Sequence, residues 1–238
     1  MKTHPISRAS GFTLLETVIA IGVLAVLLTG FMVVFAPAAD GIRKSINVQQ
    51  ADRMASALEQ ELVTPRDGEV PLSKTGFDKA FNWISKSNTA TDALFVYQYR
   101  GKVSSLRKDG TPEPEKQFDG KTPGQDYVVV PMVRRRSDTV NLRNDLEAIE
   151  GGLYLVKCTQ LVFKNGQLAA GTPGSIIDPR GSASAATPDA YPEAVIAFTG
   201  EFFLMPAKTA AYVNGPTFTR NFPTLKSPVF ARNLAVRR

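Results

Sequence analysis

The sequence is poor in the residues that enzymes and metal sites use most. Its 238 residues include one cysteine, Cys158, and one histidine, His4. A single cysteine cannot form an intramolecular disulfide, so packing alone must hold the chain together. Because no histidine follows His4, the rest of the chain can hold no Ser-His or Cys-His nucleophilic pair and no histidine-ligated metal site.

Recognisable catalytic motifs are missing as well. The sequence has no P-loop, no GxGxxG, no CxxC, no HExxH and no GxSxG. Several acids lie in one polar stretch and could offer oxygens to calcium: Asp109, Glu113, Glu115, Asp119 and Asp126. Their spacing matches no EF-hand, so we interpret the stretch as a solvated loop. We expect no enzymatic activity, no catalytic residues, no cofactor and no metal ligands.

The charge of the chain is only moderately positive. The net charge is +6, and Lys2 and Arg8 supply two of those charges, which leaves +4 for the remainder. The densest basic run, residues 134–136, is three consecutive arginines. Such a run can track DNA phosphates, but Asp138 lies beside it, and a solvated strand end or an ion-paired subunit contact fits better. We therefore expect no nucleic-acid partner.

A long apolar run lies near the N-terminus. Between Val18 and Phe35 only Thr29 is polar. Counted from Phe12, a helix of about 24 residues is about 36 Å long, enough to cross a hydrocarbon core of about 30 Å. Gly22, Ala25 and Gly30 allow close helix packing, although small residues are also common in membrane helices generally. The run predicts a single membrane span.

The residues that precede the apolar run have an unusual order. Residues 8–16 read RASGFTLLE, so a short basic leader ends in glycine and one carboxylate interrupts the start of the apolar run. In an ordinary secretory signal the cut follows the apolar stretch. Here the candidate cut site precedes it, so cleavage would leave the span on the mature protein. The basic leader predicts a cytoplasmic N-terminus.

This junction resembles the N-terminus of type IV prepilins and type II secretion pseudopilins. The resemblance covers roughly residues 8–35, and it implies that prepilin peptidase cuts between Gly11 and Phe12 and methylates the new amine of Phe12. Glu16 takes the place of the acid at the fifth mature position. The resemblance implies that its carboxylate pairs with the Phe12 amine of a neighbouring subunit, which relieves two charges in lipid together. The alternative is an acid that stays in the headgroup zone.

The remainder of the chain predicts a mixed α+β domain. An apolar stripe at three- and four-residue steps continues the first helix to about Val63, where Thr64-Pro65 stops it; Pro37 is expected to kink or end it.

A second helix is predicted over 75–87, and a short helix or linking segment over 140–149. Strands are predicted over 93–99, 103–106 (after a turn at 101–102), 127–133, 153–163 and 194–205, with a hairpin turn at 164–167. Loops are predicted over 108–126 and 169–192, and an irregular tail over 206–238. Pro131 favours an edge position or a bulge for the third strand.

These features predict three segments: a leader over 1–11, a transmembrane and amphipathic helix over 12–63, and a periplasmic or extracellular domain over 64–238. The resemblance implies a structural filament subunit in the inner membrane, whose partners are prepilin peptidase, other pilin or pseudopilin subunits and lipid. The length of the chain and its bulky loops suit a minor or tip subunit better than a major one. Two alternatives stay open. One is a binding module displayed on a filament, an adhesin or DNA-uptake pilin, with candidate loops 108–126 and 169–192. The other is a membrane-anchored periplasmic protein of different function.

Overall fold

The computed structural model describes residues 13–69, 73–181, 185 and 187–238, without the side chains of residues 36, 40, 43–48 and 51. Within these residues the chain forms two compact units, which divide between Gln49 and Gln50. The predicted leader and Phe12 lie outside the described residues. The predicted boundaries after residues 11 and 63 stay predictions.

Two helices come first among the described residues, and strands and shorter helices then follow in groups. The helices are α1 (Leu14–Leu62), α2 (Gly76–Lys86), α3 (Thr139–Leu146), α4 (Ala210–Asn214) and α5 (Pro216–Asn221), followed by a 3-10 turn at Phe222–Thr224. The strands are β1 (Leu94–Leu106), β2 (Pro112–Pro114), β3 (Tyr127–Arg135), β4 (Ile149–Lys164), β5 (Gln167–Ala170), β6 (Val195–Leu204) and β7 (Phe230–Arg237). The predicted α+β class is confirmed.

Helix α1 ends within one residue of its predicted limit. It continues through Pro37, so of the two alternatives for this proline, the end of the helix is wrong. The last turns of α1 belong to the second unit, and their apolar stripe is buried there at Met54, Ala55, Leu58 and Leu62. The predicted stripe does not extend back to Ile42, whose side chain is exposed. Two further predicted stripe side chains, at positions 46 and 51, lie outside the description.

The seven strands form one antiparallel sheet in the order β2-β1-β4-β6-β7, with β3 paired to β1 and β5 paired to β4. The predicted turn at Gly101-Lys102 is wrong, because β1 runs through both residues. A Cβ on Gly101 would lie 2.6 Å from the Pro112 Cβ on the paired strand. The glycine therefore permits a close approach between strands rather than a turn.

Two other predictions about strands are confirmed. Strand β3 pairs with β1 alone among the described residues, so Pro131 does lie on an edge strand. The turn between β4 and β5 has Asn165 and Gly166 at φ values of 53° and 77°, the conformation of a two-residue hairpin turn. Pairing of Lys164 with Gln167 fixes the register of that hairpin.

The predicted loops contain more structure than expected. The 108–126 segment holds β2, which pairs with β1. In the 169–192 segment Ile176 and Tyr191 are 2% and 1% exposed, so the interpretation as an exposed loop is wrong for them. The Gln160 side chain holds this segment, because it donates to the Ile177 carbonyl at 2.8 Å and accepts from the Ile177 N–H at 2.8 Å.

The expectation of an irregular C-terminal tail is also wrong. The tail forms α4, α5 and the 3-10 turn, and β7 then pairs with β6 along its whole length. The side chains of Leu234 and Val236 are buried in the core, while those of Ala235 and Arg237 are exposed. This alternation is the pattern of a half-buried strand.

The sheet carries a hydrophobic core on each face. One core joins the last turns of α1 and the apolar face of α2 to the sheet, and Leu58, Trp83 and Phe202 are among its members. The other lies under α3, α4 and α5 and includes Phe95 and Phe218. Cys158 belongs to the first core, and burial raises the pKa of its thiol to about 12. The thiol is therefore an apolar packing group and not a nucleophile.

Candidate functional site

The first turn of α1 is closed by reciprocal hydrogen bonds between Thr13 and Glu16. The Glu16 N–H donates to the Thr13 Oγ1 at 3.2 Å, and the Thr13 N–H donates to the Glu16 Oε2 at 2.9 Å. The Thr13 hydroxyl also donates to the same carboxylate oxygen, at 3.0 Å. This arrangement is a capping box, which satisfies two backbone donors that a helix start otherwise leaves without partners.

The cap leaves half of the Glu16 carboxylate available. All the hydrogen bonds that the described residues donate to this side chain end on Oε2, and none ends on Oε1. Glu16 is exposed, and so are the residues after it on α1 as far as Phe35, among which only Thr17 and Thr29 carry polar side chains. A carboxylate in such a setting is costly in lipid unless a cation meets it.

Helix α1 is long and apolar enough to cross a membrane over Leu14–Ala39, and none of this stretch is buried within the described residues. The Thr29 hydroxyl donates to the Ala25 carbonyl of its own helix at 2.8 Å, which satisfies the one hydroxyl in the middle of the run. Together with Gly30, these residues line a shallow groove on the helix surface. The apolar length and the internally satisfied hydroxyl are what a helix in lipid requires.

Sequence reasoning selected three residues at this site, and the structure describes one of them. Gly11 and Phe12 lie outside the described residues, so their predicted roles stay predictions. The role of Thr13 as the partner of Glu16 was missed, although the spacing Thr-x-x-Glu before an apolar run is a known signal for a capping box. The predicted pairing of Glu16 with a neighbouring Phe12 also stays a prediction.

The arginine run at residues 134–136 has a different role from those considered. Arg134 and Arg135 are 5% and 7% exposed, so the interpretation as a solvated strand end is wrong. Arg134 bonds three carboxylates, at 2.9 Å to Asp109, 3.0 Å to Asp138 and 2.8 Å to Asp145. We call these four residues the Arg134 network. Because its positive charge is compensated within the domain, this arginine is not available to DNA phosphates.

The two neighbouring arginines are also occupied. Arg135 forms an ion pair with Asp92. Arg136 donates to the backbone carbonyls of Val213 at 2.8 Å and of Ala90 at 3.1 Å. The run therefore ties β3 to surrounding segments of the domain. The DNA-uptake alternative loses the feature that suggested it.

Further groups complete the buried end of the Arg134 network. Asp145 is fully buried, receives a hydrogen bond from the Tyr97 hydroxyl at 2.6 Å, and pairs with Arg107. Burial, and after it the charge of Asp145, raises the pKa of Tyr97 well above its usual value, so the hydroxyl stays a donor. A buried charged cluster persists only when every member has partners, and here they come from four separate segments.

The Arg134 network predicts acid sensitivity through Asp109. Desolvation alone would raise the pKa of this carboxyl, but hydrogen bonds from Thr111 and the nearby Arg134 outweigh it and bring the pKa to about 2, from an ordinary value of 3.8. A depressed pKa in the folded state stabilises the fold above the unfolded-state pKa, and this contribution is lost as the pH falls toward 2. We expect the gap in unfolding midpoint between the wild type and Asp109→Asn to be widest above about pH 4 and to narrow toward pH 2. Chemical unfolding of the full chain in detergent across this pH range measures the gap, and a gap of constant width would contradict the assignment.

The acids of the 108–126 segment do not gather into a cation site. Among the residues that the structure describes, no group of three or more Asp, Glu, Cys or His side chains is placed to hold a metal ion. Asp109 faces Arg134, Glu113 lies 3.7 Å from Lys102, and the Asp126 carboxylate accepts the Thr122 N–H at 2.8 Å. These acids are therefore spread among separate local partners.

Comparison with known protein families gives a match at the N-terminus. Residues 6–32 match the family described as the prokaryotic N-terminal methylation motif, which is the signature of type IV pilins and pseudopilins. No curated protein and no solved structure is significantly similar to the chain. The motif supports a processed, type IV pilin-like or pseudopilin-like subunit, and together with the single apolar helix it is consistent with anchoring in the inner membrane.

Proposed function

We propose that this chain is a structural, non-enzymatic subunit, present in few copies, of a type IV pilus-like or type II secretion pseudopilus filament. The observation that carries the proposal is the methylation motif at residues 6–32, which coincides with the start of a membrane-length helix. Prepilin peptidase cuts between Gly11 and Phe12 and methylates the Phe12 amine. The domain that follows α1 lies on the periplasmic side of the inner membrane.

The structure of the helix start supports a role for Glu16 in assembly. Cleavage creates a positive amine at Phe12, next to the residue that caps the helix. Glu16 can keep its capping bonds through Oε2 and accept a hydrogen bond from the Phe12 amine of a neighbouring subunit through Oε1. In lipid each of these charges is costly alone, and pairing removes both costs together. The pair therefore fixes the axial position at which one subunit joins the next.

The size and construction of the domain support a minor subunit. It carries long segments outside the sheet core, and several of them, such as the one around Tyr191, are tied down by specific bonds rather than left free. A subunit with such elaborated surfaces suits the tip of a filament better than its repeating shaft, an inference that rests on the fold alone.

Replacement of Gly11 tests the proposed processing. Gly11→Val adds a branched side chain at the cut site, and we expect the precursor to keep its leader and accumulate in the membrane. Ser10→Ala changes the adjacent leader residue and serves as the control, which should be processed normally. Intact mass of the membrane-extracted protein distinguishes the forms. The uncut precursor is heavier by the leader, and the processed chain has lost the leader and gained one methyl group. Full processing of Gly11→Val would count against the proposal.

A further inference from the structure

Strand β7 is one edge of the sheet, and its pairing shows which of its backbone groups face outward. The Arg238 N–H donates to the Ala194 carbonyl at 2.8 Å, next to the paired residues Val195 and Arg237. Antiparallel hydrogen bonds alternate along a strand, so even-numbered residues of β7 bond to β6 and odd-numbered residues point away. The other side of β6 agrees, because the Met205 N–H donates to the Leu153 carbonyl of β4.

The outward-pointing residues of β7 offer an open row of donors and acceptors. They are Ala231, Asn233, Ala235 and Arg237, and all four are exposed. Among the described residues, no group donates to their backbone C=O or accepts from their backbone N–H on the outer side of the strand. The strand contains neither proline nor glycine. An edge of this kind is a template for one more strand.

The opposite edge of the sheet is blocked. The Arg136 N–H donates to the Ala93 carbonyl, so the even-numbered residues of β3 face β1 and the odd-numbered ones point outward. Pro131 is one of the outward residues and has no N–H to offer. Proline on an edge is a common device against strand addition. The β3 edge of the sheet is therefore protected, and the β7 edge is receptive.

The charge of β7 selects the chemistry of its partner. The segment 230–238 contains Arg232, Arg237 and Arg238 and no acid. Arg232 pairs with Asp52 at 2.6 Å, and Arg238 donates to the Pro188 carbonyl at 2.7 Å. Arg237 has no ion pair within the described part of the chain, so its charge is available. A second copy would add the same positive charge along the shared edge, which disfavours pairing of β7 with itself.

We propose that β7 binds an extended, acidic segment of a different protein by strand addition. The partner's backbone bonds to the outward groups of Ala231, Asn233, Ala235 and Arg237, and a carboxylate of the partner pairs with Arg237. The two outward alanines have small side chains, which leave room for the partner's side chains on the exposed face. This surface goes beyond the proposed filament role and does not depend on it.

Binding of a probe peptide by the full chain in detergent tests the proposal. The probe is a fluorescent extended peptide of alternating threonine and valine with a glutamate near each end, and a second peptide carries lysine in place of each glutamate. We expect the acidic probe to raise fluorescence anisotropy and to slow amide exchange in residues 230–238. The lysine peptide should bind about tenfold more weakly at low salt.

Two matched variants show whether binding uses the edge. Ala235→Pro removes one outward N–H without taking a bond from the β6–β7 ladder, and we expect it to weaken binding of the acidic probe about tenfold or more. Ala235→Thr keeps the N–H and should bind as the wild type does. Ala231→Pro is a second test of the same edge if the first variant unfolds at a lower temperature.

Three results would overturn the proposal. One is the absence of measurable binding of the acidic probe to the wild type. Another is equal binding by the wild type and both proline variants. The third is a dimer in detergent that Ala235→Pro converts to a monomer, because it would identify a second copy as the occupant of the edge.

Discussion

Glu16→Leu should be inserted and processed normally but should not enter filaments. The substitution makes the helix more apolar, so insertion does not suffer, and the cut lies four residues before it. It leaves the Phe12 amine of the neighbouring subunit without a carboxylate. An unpaired charge in an apolar setting costs several kcal/mol, so we expect incorporation to fall about a hundredfold or more. Immunoblotting of sheared filaments and of membranes from the same cells measures incorporation and processing separately.

Two further variants separate the charge of Glu16 from its capping bonds. Glu16→Gln keeps a side chain that can complete the capping box with Thr13 but carries no charge, so it should assemble as poorly as the leucine variant. Thr13→Val removes the hydroxyl of the cap and keeps the charge, and a lost cap costs about 1 kcal/mol. It should therefore assemble nearly as well as the wild type. Normal assembly of Glu16→Gln would show that the glutamate serves the helix start alone.

Arg134→Met should strongly destabilise the domain. The arginine is almost fully buried and bonds the carboxylates of Asp109, Asp138 and Asp145, of which Asp145 is also fully buried. Methionine fills similar volume but leaves these carboxylates without their common partner. Removal of one member of a buried ion pair costs about 3–5 kcal/mol, a large share of the stability of an ordinary domain. Chemical unfolding of the full chain in detergent, followed by the fluorescence of Trp83, measures the loss.

A surface ion pair provides the control for this variant. Arg180 has 75% of its side chain exposed and lies 3.2 Å from Glu193. Exposed pairs contribute less than about 1 kcal/mol, so Arg180→Met should change the unfolding midpoint little. If the two variants lost the same stability, the buried charges of the Arg134 network would not be what holds β3 to the 107–111 and 138–145 segments.

Local sequence signals predicted the features that depend on neighbouring residues. The end of α1, the limits of α2, the edge position of Pro131 and the turn at Asn165-Gly166 all follow from residues within a few positions of one another. The capping box at Thr13 is the exception, because it was missed although its signal lies within four residues. For these features the local preference and the tertiary structure agree.

The features that sequence reasoning missed depend on contacts between distant segments. Gly101 suggested a turn because its true neighbour, Pro112, comes from another strand. The partners of Arg134 lie as far as 25 residues away at Asp109, so the run looked solvated. In β7 the basic residues at exposed positions obscured the alternation of Leu234 and Val236. A local sequence pattern does not show which charged side chains or which strands come together in the fold.

The most direct test of the central claim is the intact mass and N-terminal sequence of the protein extracted from its native membrane. We expect a chain that begins at Phe12, bears one methyl group on its amine and keeps the whole of α1. A chain that begins at Met1, or one that is cut after the apolar run, would show that the protein is not processed as a pilin-like subunit.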